Sequence, residues 1–262
     1  MPPSELRKEA RDTLKEKWGK SALIILIYTL LSFVYSYITS SFTNNTIKDL
    51  LELAWTIITL PIAFGLTISF LKIKRGENVS TFDFFKDGFS RFSRAWGVAW
   101  HTFIKMIIPI LCIIASVFLF GILLASSIAL YSMGSSLQVS HPIIFAIAII
   151  LYIFGIFYGI VRGLLYSLSY YIAYDHPEMS TKECVQRSED LMRGHRGDLF
   201  LLELSFIGWA ILSLFTLGIG LLWLIPYVIV SKSCFYDKIA KDTSKEVQGT
   251  VEIDTESKDN KE

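Results

Sequence analysis

The sequence predicts an all-α, polytopic membrane protein with six transmembrane helices. The 262-residue chain is 52% hydrophobic and only 19% charged, whereas an ordinary soluble domain has roughly 25% charged residues. Its apolar stretches are long, and its Lys and Arg residues alternate around them. The net charge of +1 argues against a nucleic-acid-binding protein, and three separated cysteines argue against a disulfide scaffold.

The first four spans follow from stretches without charged residues. A membrane-spanning helix needs about 20 mostly apolar residues, and the first two charge-free stretches have 22 and 19. The third, 106–161, is too long for one crossing, and 132–142 has the composition of a loop. The predicted spans are 21–42, 53–71, 106–131 and 143–161, the last with a helical extension to 174.

The last apolar region is 199–231, which contains one charged residue, Glu203. As one helix it would be about 50 Å long, more than a bilayer requires. Gly218 and Gly220 at its midpoint favour a tight turn. We therefore predict a hairpin with spans at 199–215 and 221–236. A single tilted helix and a re-entrant pair are the alternatives.

The positions of Lys and Arg predict the orientation. The successive hydrophilic segments hold six, one, seven, zero, four, zero and six of these residues. Cytoplasmic segments are enriched in Lys and Arg. This alternation places both termini in the cytoplasm. We further predict that residues 1–240 form a single membrane domain, followed by a polar tail, 241–262, that we expect to be disordered.

Amphipathic helices are predicted at the inner membrane face before spans one, three and five. Leu6, Ala10, Leu14 and Trp18 recur every four residues among charged positions, which is typical of an interfacial helix. A solvated extension of the span is the alternative.

The segment before span three begins with a capping-box pattern at Ser80 and Asp83. Its aromatic residues at helical spacing favour an interfacial helix, with a face packed on another cytoplasmic segment as the alternative. These aromatic residues are Phe82, Phe85, Phe89, Phe92 and Trp96.

The segment before span five begins with a full capping box, Ser180 and Glu183. Gly194 is a predicted C-cap. The helix between them presents one apolar face, formed by Cys184, Val185, Ser188, Leu191 and Met192.

Two intramembrane features are candidate sites. Arg162 and Glu203 have similar predicted depths near the inner face and are a candidate ion pair, because a charge in hydrocarbon is costly. Snorkelling of Arg162 to the interface is the alternative. Gly155, Gly159 and Gly163 recur every four residues and are candidates for close helix packing.

Basic side chains on the predicted inner face are candidate contacts for anionic lipid or a partner protein. They are Arg187, Arg193, Arg196, Arg91 and Arg94.

No enzyme signature is present in the sequence: there is no HExxH, GxSxG, Walker loop or CxxC. The four histidines are isolated from one another and from the cysteines. We therefore expect no catalytic, cofactor-binding or metal-binding residues, and a protein that is not an enzyme.

Several segments carry a family resemblance: RGENV at 75–79, DHPEMS at 175–180, SEDLMRG at 188–194 and LGIGLLWLIPY at 217–227. They resemble the bacterial membrane protein family catalogued as domain of unknown function 975. The segment 188–194 is also remotely similar to the membrane domain of some glycerophosphodiester phosphodiesterases. The first resemblance implies a multi-pass protein of the bacterial cytoplasmic membrane, and it implies no activity.

The predicted function is that of a non-enzymatic accessory or scaffold protein whose cytoplasmic face binds anionic lipid or a protein partner. The alternative is a small permease or lipid-handling transporter with a cavity among the spans that contain Pro and Gly. The expected partners are membrane lipids and a membrane or cytoplasmic protein, without nucleic acid.

Overall fold

The computed structural model describes residues 2–132 and 142–259, and within them all regular secondary structure is α-helical. The helices are α1 (Pro3–Leu14), α2 (Trp18–Ser40), α3 (Asn45–Lys74), α4 (Asp83–Ser90), α5 (Phe92–Ser132), α6 (Pro142–Tyr166), α7 (Ser169–Asp175), α8 (Thr181–Leu191), α9 (Arg196–Leu204), α10 (Ile207–Phe215) and α11 (Leu221–Asp259). The predicted loop at 132–142 lies almost wholly outside the described residues.

Five described helical segments are long and apolar enough to cross a membrane, which defines a multi-pass membrane protein. Helix α11 is not among them. Its apolar part, 221–231, ends at Lys232 and is about 16 Å long, roughly half of the hydrocarbon thickness. The prediction of a full sixth span at 221–236 is therefore not supported. The five segments are Trp18–Ser40, Asn45–Lys74, Phe92–Ile128, Ile143–Asp175 and Arg196–Phe215.

The chain forms two compact units, which we describe separately. The first unit comprises residues up to Ala99 and from Leu168 onward, and the second comprises Trp100–Ser167. The core of the first unit is built on the second half of α3, where Phe64 and Phe70 are fully buried. Helices α1, α4, α7 and the middle of α11 cover this half of α3.

The crossing of α3 and α4 is unusually close. A Cβ atom on Gly65 would collide with the carbonyl oxygen of Phe84, and one on Gly88 would collide with that of Pro61. Glycine at both positions lets the two backbones touch, which anchors the short helix α4 to α3.

Pro61 lies inside α3 and is buried. Proline has no N–H, so the carbonyl oxygen of Ile57, four residues earlier, loses its helical donor. The indole Nε1 of Trp96 donates to that oxygen at 3.2 Å. The start of α5 is thereby tied to the interrupted turn of α3.

The second unit consists of most of α5 and α6. Its large apolar side chains face outward, as Phe118 and Phe157 illustrate with exposures of 69% and 67%. Such a surface requires an apolar solvent, consistent with spans in a bilayer.

The apolar faces predicted to lie on the membrane are partly covered by protein. Leu6, Ala10 and Leu14 are at most 1% exposed, because α1 packs on α11, α9 and α3. The interpretation of α1 as a helix with this face in lipid is therefore wrong: the four-residue spacing identified the apolar face but not what covers it.

In the segment before α5, some aromatic side chains are buried and others are exposed. Phe84, outside the predicted aromatic stripe, is fully buried, whereas Phe82 and Phe89 of that stripe are 61% and 44% exposed. The capping pattern is half formed, since Asp83 accepts from the backbone N–H of Ser80 at 2.7 Å. The exposed aromatic residues keep the outward position that an interfacial anchor needs.

Helix α8 matches the sequence prediction closely. Ser180 and Glu183 form the full capping box, and Cys184, Val185, Ser188 and Leu191 are buried. Gly194 has a φ of +87° just beyond the helix end, the left-handed conformation for which glycine is favoured.

Helix α11 continues through 241–259, where the sequence predicts a disordered tail. Extending an existing helix requires no new nucleus, so polar residues can follow a packed segment in helical form. Residues 260–262 lie outside the described part of the chain.

Candidate functional site

A network of charged side chains joins three helices of the first unit; we call Lys74, Arg75, Asp175, Tyr236 and Asp237 the ion-pair network. The Arg75 guanidinium donates two hydrogen bonds of 2.7 Å to the Asp175 carboxylate. It donates a third, of 2.8 Å, to Asp237. Lys74 donates to Asp237 at 2.6 Å, and the Tyr236 hydroxyl donates to Asp175 at 2.9 Å.

Electrostatic interactions within the network favour the charged forms of Arg75 and Asp237. The hydrogen bonds to Asp175 raise the pKa of Arg75 above its ordinary value. Burial opposes ionisation of Asp237, yet hydrogen bonds from Arg75 and Lys74 outweigh it and lower the pKa of Asp237. These hydrogen bonds tie the end of α3 to α7 and α11.

A second ion pair lies where α3 meets α4. Lys72 donates to both oxygens of Asp87, at 2.9 and 2.7 Å. The guanidinium of Arg91 lies 4.8 Å from the ring centre of Tyr174 and 3.9 Å from Asp87. Arg91, a predicted lipid or partner contact, is thus engaged within the protein.

Arg94, another predicted contact, clamps the turn between α7 and α8. Its guanidinium donates to the carbonyl oxygens of Ala173, His176 and Pro177 at 2.6, 2.5 and 3.1 Å. It also approaches the sulfur of Cys184 at 3.4 Å. Burial raises the pKa of this thiol despite the nearby positive charge. The Arg94 side chain therefore positions the backbone that leads into α8.

The other three predicted contacts are exposed: Arg187 lies on α8, Arg193 in the turn after it, and Arg196 at the start of α9. Arg193 lies 3.4 Å from Asp190, three residues earlier, a surface pair of little energetic value. We call these three arginines the α8–α9 arginine surface. The capping box, the Arg94 hydrogen bonds and the buried face of α8 hold the backbone that carries Arg187. The buried residues Met192 and Leu199 hold the segment that carries the other two arginines.

Arg162 and Glu203 have identified partners. In α6, Arg162 donates to the hydroxyl oxygen of Tyr158 at 2.7 and 2.9 Å and to that of Tyr166 at 2.7 Å. In the first unit, Glu203 accepts from Lys232 at 2.7 Å. The pair Arg162–Glu203 would join different units and stays a prediction.

The three regularly spaced glycines of α6 differ in how closely neighbouring atoms approach them. A Cβ atom on Gly155 would lie 2.7 Å from Ile113 Cγ1 and 3.2 Å from the carbonyl oxygen of Pro109. Gly159 would meet Pro109 at 3.7 Å, and Gly163 faces open space. Close approach of α5 and α6 is thus concentrated at Gly155.

A cavity of about 490 Å³ lies between α1, the start of α2, α10 and the first turns of α11. This volume is within the usual range for small-molecule sites. Its charged residues are Arg7 and Arg11 of α1, and Ser4, Ser213 and Thr216 add hydroxyl groups. Its apolar residues include Trp18, Trp209, Leu212, Trp223 and Leu224.

Sequence reasoning missed this cavity, although its residues have a pattern. Arg7 and Arg11 are four apart on α1, and Trp209 and Leu212 are three apart on α10, so each pair shares one helix face. The pairing of those faces depends on the turn at Leu217 and Gly218, with φ values of 51° and 84°. Only the folded chain brings them together.

Among the described residues, no group of three or more His, Cys, Asp or Glu side chains is arranged to hold a metal ion.

These observations define a multi-pass, all-α membrane protein with an ion-pair network and a cavity lined by arginine and tryptophan. The chain belongs to the family described as protein of unknown function DUF975, whose profile matches residues 1–243. No curated protein and no solved structure matches it. The remote similarity to glycerophosphodiester phosphodiesterases stays a prediction.

Proposed function

We propose that the protein is a non-enzymatic accessory or scaffold protein of the bacterial cytoplasmic membrane that binds an anionic partner through the α8–α9 arginine surface. The observation that carries this proposal is the contrast among the five candidate arginines. Arg91 and Arg94 are engaged within the protein, whereas Arg187, Arg193 and Arg196 are exposed on a backbone fixed from beneath. Exposed cations on a rigid base suit recognition of negative charge, on a protein or on lipid headgroups.

The orientation supports the proposal. The ion-pair network and the α8–α9 arginine surface belong to segments that each hold at least four Lys and Arg residues, whereas the intervening segments hold at most one. Segments rich in Lys and Arg are typical of the cytoplasmic side.

We propose in addition that α10 and the apolar part of α11 form a re-entrant hairpin. The pair Glu203–Lys232 lies at its base, and about 12 residues, roughly 18 Å, separate Glu203 from the tip. The tip is apolar and exposed: Phe215 is 83% and Leu217 is 94% accessible. A tip of this composition is suited to the bilayer interior. Four full spans and one such hairpin keep both termini on the same side.

Charge reversal tests the accessory role. In the triple variant Arg187→Glu, Arg193→Glu, Arg196→Glu, the partner that co-purifies in native lipid discs should be lost. The matched control reverses three exposed lysines elsewhere in the first unit, Lys8, Lys15 and Lys86, and should retain the partner. An unchanged co-purification profile in the arginine variant would overturn the proposal.

A lipid-handling transporter is the second proposal, and the cavity favours it. Its three tryptophans and its largely apolar lining suit an amphiphile. Transbilayer movement of a fluorescent anionic phospholipid in proteoliposomes tests this role. Movement no faster than in protein-free liposomes would overturn it.

A further inference from the structure

We infer that the cavity between α1, α10 and α11 is a binding site for one anionic phospholipid from the surrounding bilayer, with its phosphate on Arg7 and Arg11. The phospholipid would be the ligand of the lipid-handling transporter proposed above. Only the role of the bound lipid rests on that proposal, since the binding itself is argued from the cavity.

The first argument is charge complementarity. The described residues that line the cavity include two guanidinium groups and no carboxylate. Neither Arg7 nor Arg11 forms an ion pair with a described residue, and the Nε atom of Arg7 is buried without a hydrogen-bond partner. A buried donor without a partner costs free energy that an incoming anion would recover. Guanidinium groups match the oxygen geometry of a phosphate.

The second argument is the distribution of polarity within the cavity. The arginines and Ser4 lie on α1, whereas Trp209 and Leu212 come from α10 and Trp223 from α11. Tyr227 lies at the α1 side of the cavity, because its hydroxyl donates to the Arg7 carbonyl at 3.2 Å. Gly220, which also lines the cavity, lies about 10 Å away along the axis of α11. The cavity thus has its cations on α1 and a largely apolar lining on α10 and α11, where Ser213 and Thr216 add two hydroxyl groups. We call these two sides its cationic end and its apolar end, the arrangement that an amphiphile requires.

The third argument is position relative to the membrane. Tryptophan is enriched at the membrane interface, and three of the six tryptophans of the chain line this one cavity. The neighbouring hairpin surface is apolar, with Leu214 69% and Ile211 52% exposed. A lipid with its headgroup at α1 would have its acyl chain alongside this surface, within the bilayer. A soluble anion would leave the apolar end of the cavity empty.

Native mass spectrometry of the full chain, released from micelles after titration with phosphatidylglycerol or phosphatidylcholine, tests the inference. We expect one phosphatidylglycerol to be retained per chain, and phosphatidylcholine to be retained far less. Arg7→Gln with Arg11→Gln should lower phosphatidylglycerol occupancy about tenfold or more, because two charge-assisted contacts are removed. Lys8→Gln with Lys15→Gln, on α1 and directly after it but outside the cavity lining, should leave the occupancy unchanged.

Three further variants test the two ends of the cavity separately. Leu212→Trp narrows the apolar end without altering charge, and it should also lower lipid occupancy. The variant Arg7→Lys with Arg11→Lys keeps the charge and should retain an intermediate amount of phosphatidylglycerol. Such retention would show that the glutamine variant loses lipid because of lost charge and not because of misfolding. Brominated phosphatidylglycerol should quench tryptophan fluorescence, and less so in Trp209→Phe with Trp223→Phe.

Several results would overturn the inference: equal retention of the two lipids, equal losses in the arginine and lysine variants, or displacement by inorganic phosphate with no effect of Leu212→Trp. Retention without transport in proteoliposomes would leave the lipid site intact and refute only the transporter. Transport without retention would refute the lipid site and leave the transporter proposal intact.

Discussion

The indole N–H of Trp96 donates a 3.2 Å hydrogen bond to the carbonyl oxygen of Ile57, the oxygen that Pro61 leaves without its helical donor. In a bilayer no water replaces a missing backbone partner, so a helix that contains proline depends on such a substitute. The contact couples residues 39 positions apart and joins the start of α5 to α3. The same proline also contributes the carbonyl that Gly88 approaches.

This relationship predicts a coupling between two substitutions. Trp96→Phe should lower the free energy of unfolding by about 1 kcal/mol through the lost hydrogen bond, in addition to any loss of packing. In the Pro61→Ala background the new N–H can bond to Ile57, and Trp96→Phe should then cost less. Thermal unfolding in detergent, arranged as a double-mutant cycle, measures the difference. Purely additive effects would contradict the assignment.

The close crossing of α3 and α4 predicts a steep steric penalty. Gly65→Ala should destabilise the protein by roughly 1–3 kcal/mol or more, because the added Cβ meets backbone atoms of Phe84 rather than a flexible side chain. The control is Gly121→Ala, where a Cβ has open space; it should be neutral or slightly stabilising. Similar unfolding midpoints for the two variants would rule out the close crossing.

The ion-pair network predicts that charge alone is insufficient at Arg75. Arg75→Met should destabilise the protein by about 2 kcal/mol, since the carboxylates of Asp175 and Asp237 lose charge-assisted bonds. Arg75→Lys should recover only part of this loss, because lysine cannot make the two-pronged contact. Unfolding midpoints of the exposed control Arg193→Gln should match wild type. Full rescue by lysine would show that the geometry is unimportant.

The lowered pKa of Asp237 predicts a direction for the pH dependence of stability. The stabilisation is fully present above the unfolded carboxyl pKa, about 3.9, and it is lost as the pH falls through the lower folded value. Unfolding midpoints of wild type should therefore fall more steeply below about pH 4 than those of Asp237→Asn. Parallel curves for the two proteins would mean that Asp237 titrates alike in the folded and unfolded states.

The re-entrant hairpin predicts restricted access to its tip. A cysteine at Ile219, which is 59% exposed in the protein, should resist a membrane-impermeant thiol reagent from both sides of the membrane. With Cys112, Cys184 and Cys234 replaced by serine beforehand, the labelling has no other target. A cysteine at Asn44, between α2 and α3, should react from outside. Labelling of position 219 from outside would instead establish two full spans.

The sequence predicts the presence of several apolar helices long enough to cross a membrane, because the absence of charge over about 20 residues is a local property that the bilayer enforces. It does not predict how far the last apolar region extends, since no full sixth span is found in the described part of the chain. It predicts α8 well, since the capping box of Ser180 and Glu183 acts within four residues. The apolar helices and the capping box are both set by chemistry between near neighbours along the chain.

Features that depend on distant pairs could not be predicted. Arg75, Asp175 and Asp237 are separated by up to 162 positions, and nothing near each residue identifies its partner. The apolar face of α1 was identifiable, but α11 and not lipid covers it. The same limit explains why Arg91 and Arg94 resembled surface contacts: their partners, Tyr174 and the carbonyls after α7, lie about 80 residues away.

Site-specific photocrosslinking in living cells tests the central claim, that the chain works by binding through the α8–α9 arginine surface, most directly. A photoreactive residue at Arg187, Arg193 or Arg196 should give one discrete adduct, of a protein or of an anionic lipid. The lipid-facing position Phe33, which is 70% exposed, should not give that adduct. The adduct should disappear when the other two arginines are changed to glutamate. The same adduct at Phe33, or none at the three arginines, would contradict the account.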